Sequence, residues 1–372
     1  MGVTMYWLII AVTVILGQVM PQHGRKRIRY IAVMALIHAF VSGFRYMYLT
    51  GDLMKYQWNY VDYLNHDYFS EHLLQEGINT GFLWFCKLIS TWSDGDFQVF
   101  LVVVAVIIEA ALAMIVYKYS PIPWISFLVW NCMGFYIFGF SALKQSLAMA
   151  IVMLAMVAVL ENRCGTFVVL TLIAGFIHFP AYAFFPAYWI AKARIRPLTI
   201  ICYVAAALLI FTFQTPIVEY ITDIYYEEGE LILSDSAALG GRFFMMVVIL
   251  VMGICLKGFG DRRFEKLFNI MVVAAVFQMF CRYDNIFTRF ADYYFQMSVL
   301  FLPLMVSSLA TDPRLGGSHQ RAIFRFNKRS LEFIAICMAV YLIWYYNKTC
   351  LSTTISNEVD NFLNYRSMWD VR

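Results

Sequence analysis

Charges at the ends of long apolar runs are where this chain could do chemistry. Arg45 closes one such run, Lys144-Gln145 opens another, His178 closes a third, Arg242 opens a fourth, and Arg282 and Arg289 flank a short turn. A charge inside hydrocarbon costs about 2.5–3.5 kcal/mol at mid-helix, so one that persists there needs a partner or a task. Guanidinium forks grip phosphate oxygens bidentately and a lysine adds a mobile point charge, so cations gathered at one membrane depth are what holding a lipid diphosphate requires. His178 has the titration range of a general base, and Asp52 or Glu76, in the polar stretch after Arg45, could equally take a proton from an attacking hydroxyl.

Each residue also has a plainer reading. A single arginine can snorkel to headgroups or pair with an acid, and His178 can be held by a backbone carbonyl. Asp52, Glu76, Asp62, Asp67 and Glu71 can be solvated loop acids, and Glu109, in mid-run, suits a hydrogen bond between helices. The rings between Tyr46 and Phe69 suit an interfacial belt, though stacked rings also suit sugar faces.

Composition dictates the elements that must position these groups. The 372 residues are 62% hydrophobic and 14% charged, against about 25% charged in soluble domains, so the expected fold is an all-α polytopic membrane protein. Spans are expected near 4–20, 29–45, 98–117, 122–140, 143–160, 165–179, 181–191, 198–215, 242–257, 267–283, 287–310 and 331–347, about 12 transmembrane helices in one integral membrane domain over 1–372. The first run has no basic segment before it and no cleavage-like site after it, and reads as an uncleaved helix.

The basic clusters at 25–29, 192–196, 257–266 and 314–329 are expected in cytoplasmic loops (about 21–28, 192–197, 258–266 and 311–330). The acidic segments at about 46–97 and 216–241 are expected outside, the first carrying an amphipathic interfacial helix over 79–92 with Lys87 in its middle. Around His178, Pro180 and Pro186 predict a helix, a break and a short return helix. The eight cysteines, without any CxxC pair, read as small core hydrophobes, and the net charge of +4 follows from membrane insertion and carries no nucleic-acid signal. No P-loop, dinucleotide fingerprint, HExxH helix, nucleophile elbow or paired Cys–His site is present, so no cofactor and no metal are expected.

Three groups of residues carry a resemblance. Phe44-Arg45-Tyr46 with Gly51-Asp52, Glu76-x-Gly-Ile and Asp96-Phe97-Gln98-Val99-Phe100 form the first. Ser141-Ala142-Leu143-Lys144-Gln145-Ser146-Leu147-Ala148 and Phe176-Ile177-His178-Phe179-Pro180-Ala181 form the second, and Arg289-Phe290-Ala291-Asp292-Tyr293-Tyr294-Phe295 the third. In order and spacing they resemble the EpsG/Wzy-type exopolysaccharide polymerase family, over nearly the whole chain. The sequence departs from that pattern at Lys144, where an arginine is usual, at Phe179-Pro180, where a serine is usual, and at Leu53-Met54 after Asp52.

The resemblance implies a bacterial inner-membrane protein similar to GT-C-type glycosyltransferases. It would transfer a polyprenyl-diphosphate-linked glycan onto the next lipid-linked repeat unit at the outer face, without nucleotide sugar. His178, Asp52 and Arg289 are then the expected catalytic residues, and Arg45, Tyr46, Glu76, Lys144, Gln145, Arg242, Arg282 and Tyr293 the expected substrate-binding ones. The expected partners are the lipid-linked oligosaccharide, membrane lipid and a chain-length regulator protein. A lipid-linked oligosaccharide flippase, an O-acyltransferase or a glycan ligase would also need many helices and a charged cavity.

Overall fold

The computed structural model describes residues 2–46, 51–76, 78–213, 215–216, 241–257, 261–283, 286–308, 333, 337, 340–345 and 347. Among the described residues all regular structure is helical, with no strand. Nearly all of the expected loop 216–241, all of 311–330 and about half of the expected last span, 331–347, lie outside them.

In chain order the helices are α1 (Gly2–Val19), α2 (Arg27–Gly43), α3 (Gly51–Asp62), α4 (His66–Glu76), α5 (Thr80–Trp92), α6 (Phe97–Tyr119), α7 (Pro123–Cys132), α8 (Phe135–Phe138), α9 (Leu143–Leu160) and α10 (Cys164–Ile177). After a 3-10 turn (Phe179–Phe184) come α11 (Ala187–Lys192), α12 (Pro197–Thr212), α13 (Gly241–Lys257), α14 (Arg262–Met279), α15 (Ile286–Phe295) and α16 (Ser298–Ser308). Ends are set locally. Asp96 and Asp261 accept from backbone N–H groups two and three residues on, capping α6 and α14, and Pro123 and Pro197 occupy first turns where no N–H is needed.

Among the described residues two helices, Phe97–Tyr119 and Leu143–Leu160, are long and apolar enough to cross a membrane, and shorter apolar helices accompany them. The sequence expectation differs here for a physical reason. The expected span 122–140 is divided at Gly134, whose φ of 84° ends α7, and 287–310 is divided at Gln296-Met297 into α15 and α16. The expected return helix 181–191 is a 3-10 turn followed by a six-residue helix. The first polar loop holds three helices instead of one. The fate of the cysteines also differs: Cys86 and Cys132 are buried, but Cys164 and Cys202, on α10 and α12, and Cys337 are exposed.

The core is built round α9, which is buried on nearly every face and rich in alanine and methionine, so that α6 and α10 can approach it closely. Polar contacts sort the two ends of the bundle. Arg27 donates to the Tyr117 and Ser120 carbonyls, Lys118 pairs with Glu161, and Lys266 donates to the Val159 and Leu160 carbonyls and to Asn162 Oδ1. Arg262 reaches the Lys192 carbonyl at 3.1 Å. Three basic clusters (25–29, 192–196 and 262–266) therefore share one end, and Lys144, at the other end of α9, marks the opposite one.

Candidate functional site

At that opposite end α9 begins, α10 stops and α15 passes close by. Helix α10 ends because its backbone turns extended at His178, and Pro180 in the 3-10 turn that follows cannot continue the ladder. Two glycines shape the break. A Cβ on Gly175 would lie 2.2 Å from the Tyr182 ring, and one on Gly81 would lie 2.7 Å from the Phe176 carbonyl, so only glycine lets the turn fold onto α10 and α5 press against it. Asn79, in the left-handed region at φ 61°, accepts from the Phe179 N–H at 2.8 Å and ties the start of α5 to the same break.

This framework fixes His178. The imidazole is buried, and its Nδ1 lies 2.6 Å from the Tyr293 hydroxyl oxygen on α15. If Nδ1 carries the proton and donates it to Tyr293, Nε2 is left with a lone pair. One residue before Tyr293, the buried Asp292 forms an ion pair with Arg242 of α13, whose guanidinium also lies 5.0 Å over the Phe295 ring. Gln145 Nε2 is 3.4 Å from the other Asp292 oxygen. Arg289, one helical turn before Asp292, is exposed, and its charge is felt at both His178 and Asp292, as that of Lys144 is at His178. The expected residues Lys144, Gln145, His178, Arg242, Arg289 and Tyr293 therefore fall together.

A pocket of about 360 Å³ opens beside this group between α3, α4 and α5. It is lined by Lys144, Asp52 and Lys55, the rings of Tyr56, Trp58, Tyr63 and His72, and Asn59. Lys144 Nζ stands 5.9 Å over Tyr56 and 5.6 Å over Phe82. Asp52 is exposed at the mouth. Lys87, expected at the middle of an interfacial helix, instead donates to the Tyr63 and Leu64 carbonyls and lies over Phe69, pinning α3 and α4 to α5.

Arg45 is not part of this group. It is 1% exposed, donates to the Ser42 carbonyl, and lies 5.2 Å over Phe140. With Glu109, Trp130 and Tyr136 it lines a cavity of about 10 Å³, the size of one water. Glu109 makes the interhelical bonds expected of it, to His38 Nδ1 and Trp130 Nε1, both at 3.3 Å, and Asn131 Nδ2 lies 3.4 Å from His38 Nε2. Tyr46 is half-buried just past α2, and the side chains of Glu76 and Arg282 lie outside the described residues. Among the described residues no three His, Cys, Asp or Glu side chains group as metal ligands.

Sequence reasoning passed over Asp292, His38 and Asn79. For Asp292 the signal was present: an acid one turn after Arg289, on a helix whose next residue is Tyr293. His38 shares the face of Ser42 and Arg45 at helical spacing, whereas nothing local marks Asn79 as the partner of a residue a hundred positions on.

The family model of EpsG matches residues 28–367. No curated protein and no solved structure matches the chain.

Proposed function

The chain belongs to the EpsG family, Wzy-like exopolysaccharide polymerases of the membrane, and from that premise we propose that it elongates a polysaccharide by moving a polyprenyl-diphosphate-linked glycan onto a hydroxyl of the next lipid-linked repeat unit. The observation that carries this reading is the meeting of Lys144, Arg242 and Arg289 with the buried His178–Tyr293 pair.

In the proposed reaction the acceptor oxygen attacks the donor's anomeric carbon, the bond from that carbon to the diphosphate oxygen breaks, and His178 Nε2 takes the hydroxyl proton. With Nδ1–H donated to the Tyr293 hydroxyl, 2.6 Å away, the imidazole presents the Nε2 lone pair for this. Negative charge grows on the departing diphosphate, and Arg289 with Lys144 meets it in a site whose apolar walls weaken screening. Arg242 supports the site through Asp292, which spaces the two arginines and accepts from Gln145. The acceptor sugar occupies the pocket of Tyr56, Trp58, Asn59 and Asp52, where rings cover its apolar faces and polar groups take its hydroxyls.

This assignment leaves Asp52 to hold acceptor hydroxyls, because it is exposed at the mouth while His178 is buried beside the cations. The test is incubation of the purified protein in lipid with a synthetic polyprenyl-diphosphate-linked repeat unit, without nucleotide sugar, and separation of products by gel. A ladder that disappears in His178→Ala is expected. Passage of intact substrate across sealed vesicles with no ladder would replace the polymerase reading with a flippase.

A further inference from the structure

The second feature that asks for a ligand lies directly below Arg242. Along α13, Met245, Ile249 and Met252 follow that arginine at one-turn spacing and line an apolar groove of about 330 Å³, closed on its other walls by Leu302 and Met305 of α16 and by Tyr341. We propose that this groove takes the isoprenoid tail of the lipid diphosphate whose head the Arg242–Arg289 cluster holds, a proposal that rests on the polymerase reading above.

Three observations favour that occupant. The groove begins one turn past a cation on the same helix: Met245 follows Arg242 by three residues, Arg242 to Met252 is ten residues or about 15 Å of helix, and Arg242 meets Asp292 one turn from Arg289. It is lined by methionines from separate elements, Met133, Met245, Met252 and Met305, whose unbranched side chains adapt to a methyl-branched chain that no rigid slot would fit. A second apolar groove, about 440 Å³ between α2 and α6, makes the contrast. It ends at Phe44, and the following Arg45 turns inward to Ser42 and Phe140; among the described residues that line it there is no cation.

In a bilayer the tail already lies in hydrocarbon, so the groove adds little hydrophobic drive. Its effect is orientation: it aims the anomeric carbon at His178 and selects isoprenoid over acyl chains.

The probe is a diazirine-bearing polyprenyl diphosphate, photolysed with the full-length protein in nanodiscs of phosphatidylglycerol and phosphatidylcholine, the adducts being mapped by mass spectrometry. Adducts are expected on Met245, Met252 and Met305, suppressed at least fivefold by unlabelled polyprenyl diphosphate but not by inorganic pyrophosphate or added phosphatidylglycerol. Val248 of α13 also lines the groove, and Val248→Trp, which fills it, should raise KM for the lipid-linked donor several-fold with kcat retained. Adducts concentrated on Leu36 and Phe40 of the other groove, or suppressed equally by phosphatidylglycerol, would overturn the proposal. Adducts in the proposed groove from a protein that forms no ladder would uphold the tail site and remove the polymerase reading instead.

Discussion

The two ends of the bundle use charge in opposite ways. At the end marked by Lys118, charges knit helix to helix. Lys266 meets two carbonyls and an amide oxygen at the end of α9, Glu161 takes Lys118, Tyr119 and Arg163, and Arg262 pairs with Glu265 at 2.5 Å. At the end marked by His178, Arg242 and Arg289 gather round the buried acid Asp292, and Lys144 acts on His178. The first arrangement spends its charges on stability. The second brings its cations to a buried histidine and an exposed arginine beside an open pocket.

Substitutions should therefore separate by end. The largest effect is expected from Arg289→Ala: removing an exposed cation that meets the leaving group should slow ladder formation about 10²–10³-fold, with the thermal midpoint in detergent nearly unchanged. A midpoint that fell as far as the rate would make Arg289 a structural charge and collapse the contrast. At the other end, Lys266→Met should cost about 1.5–3 kcal/mol of stability, because three acceptors lose a charged donor, while the polymerisation rate at low temperature stays within about twofold.

Arg45 sharpens the comparison, because it lies near the site end yet is enclosed. Arg45→Met is expected to lower the thermal midpoint by about 1–3 kcal/mol equivalent and to leave KM for the lipid-linked donor unchanged; a rise in KM alone would return Arg45 to the ligand. The smallest effect is a pH dependence. Hydrogen bonds from Lys118 and Tyr119 hold the Glu161 carboxyl below its usual range. Its folded-state value is thus below its unfolded one, and its contribution is complete above the ordinary carboxylate range and lost as pH falls through it. For so open a pair this is at most about 1 kcal/mol, visible as a thermal midpoint that declines below about pH 5 in the native protein and less so in Glu161→Gln.

Much of this was legible in the chain because membrane insertion writes itself locally. Apolar runs, basic clusters and the Pro180 break are one-dimensional signals, and α1, α2, α6, α9 and α10 fall close to the expected spans. The grouping of Lys144, Gln145, His178, Arg242 and Arg289 followed from their positions at the ends of apolar runs, and Tyr293 came from the family resemblance alone. What the sequence hid is three-dimensional. Arg45 looks like the other end-of-span cations, and only the packing of Phe140 and Glu109 shows that it turns inward. The divisions at Gly134 and at Gln296-Met297 lie inside unbroken apolar stretches, where hydropathy has no power to separate a crossing helix from two short ones.

The bond from the Phe179 N–H to Asn79 has a mechanical meaning. The same residue opens α5, whose Phe82 and Leu83 help line the pocket assigned to the acceptor, and closes the turn that carries His178. The part that senses an incoming sugar and the part that would take its proton thus share one rigid hinge pin. On the proposed reading, the wall of the acceptor pocket and the turn that carries the base are held in register by this one side chain.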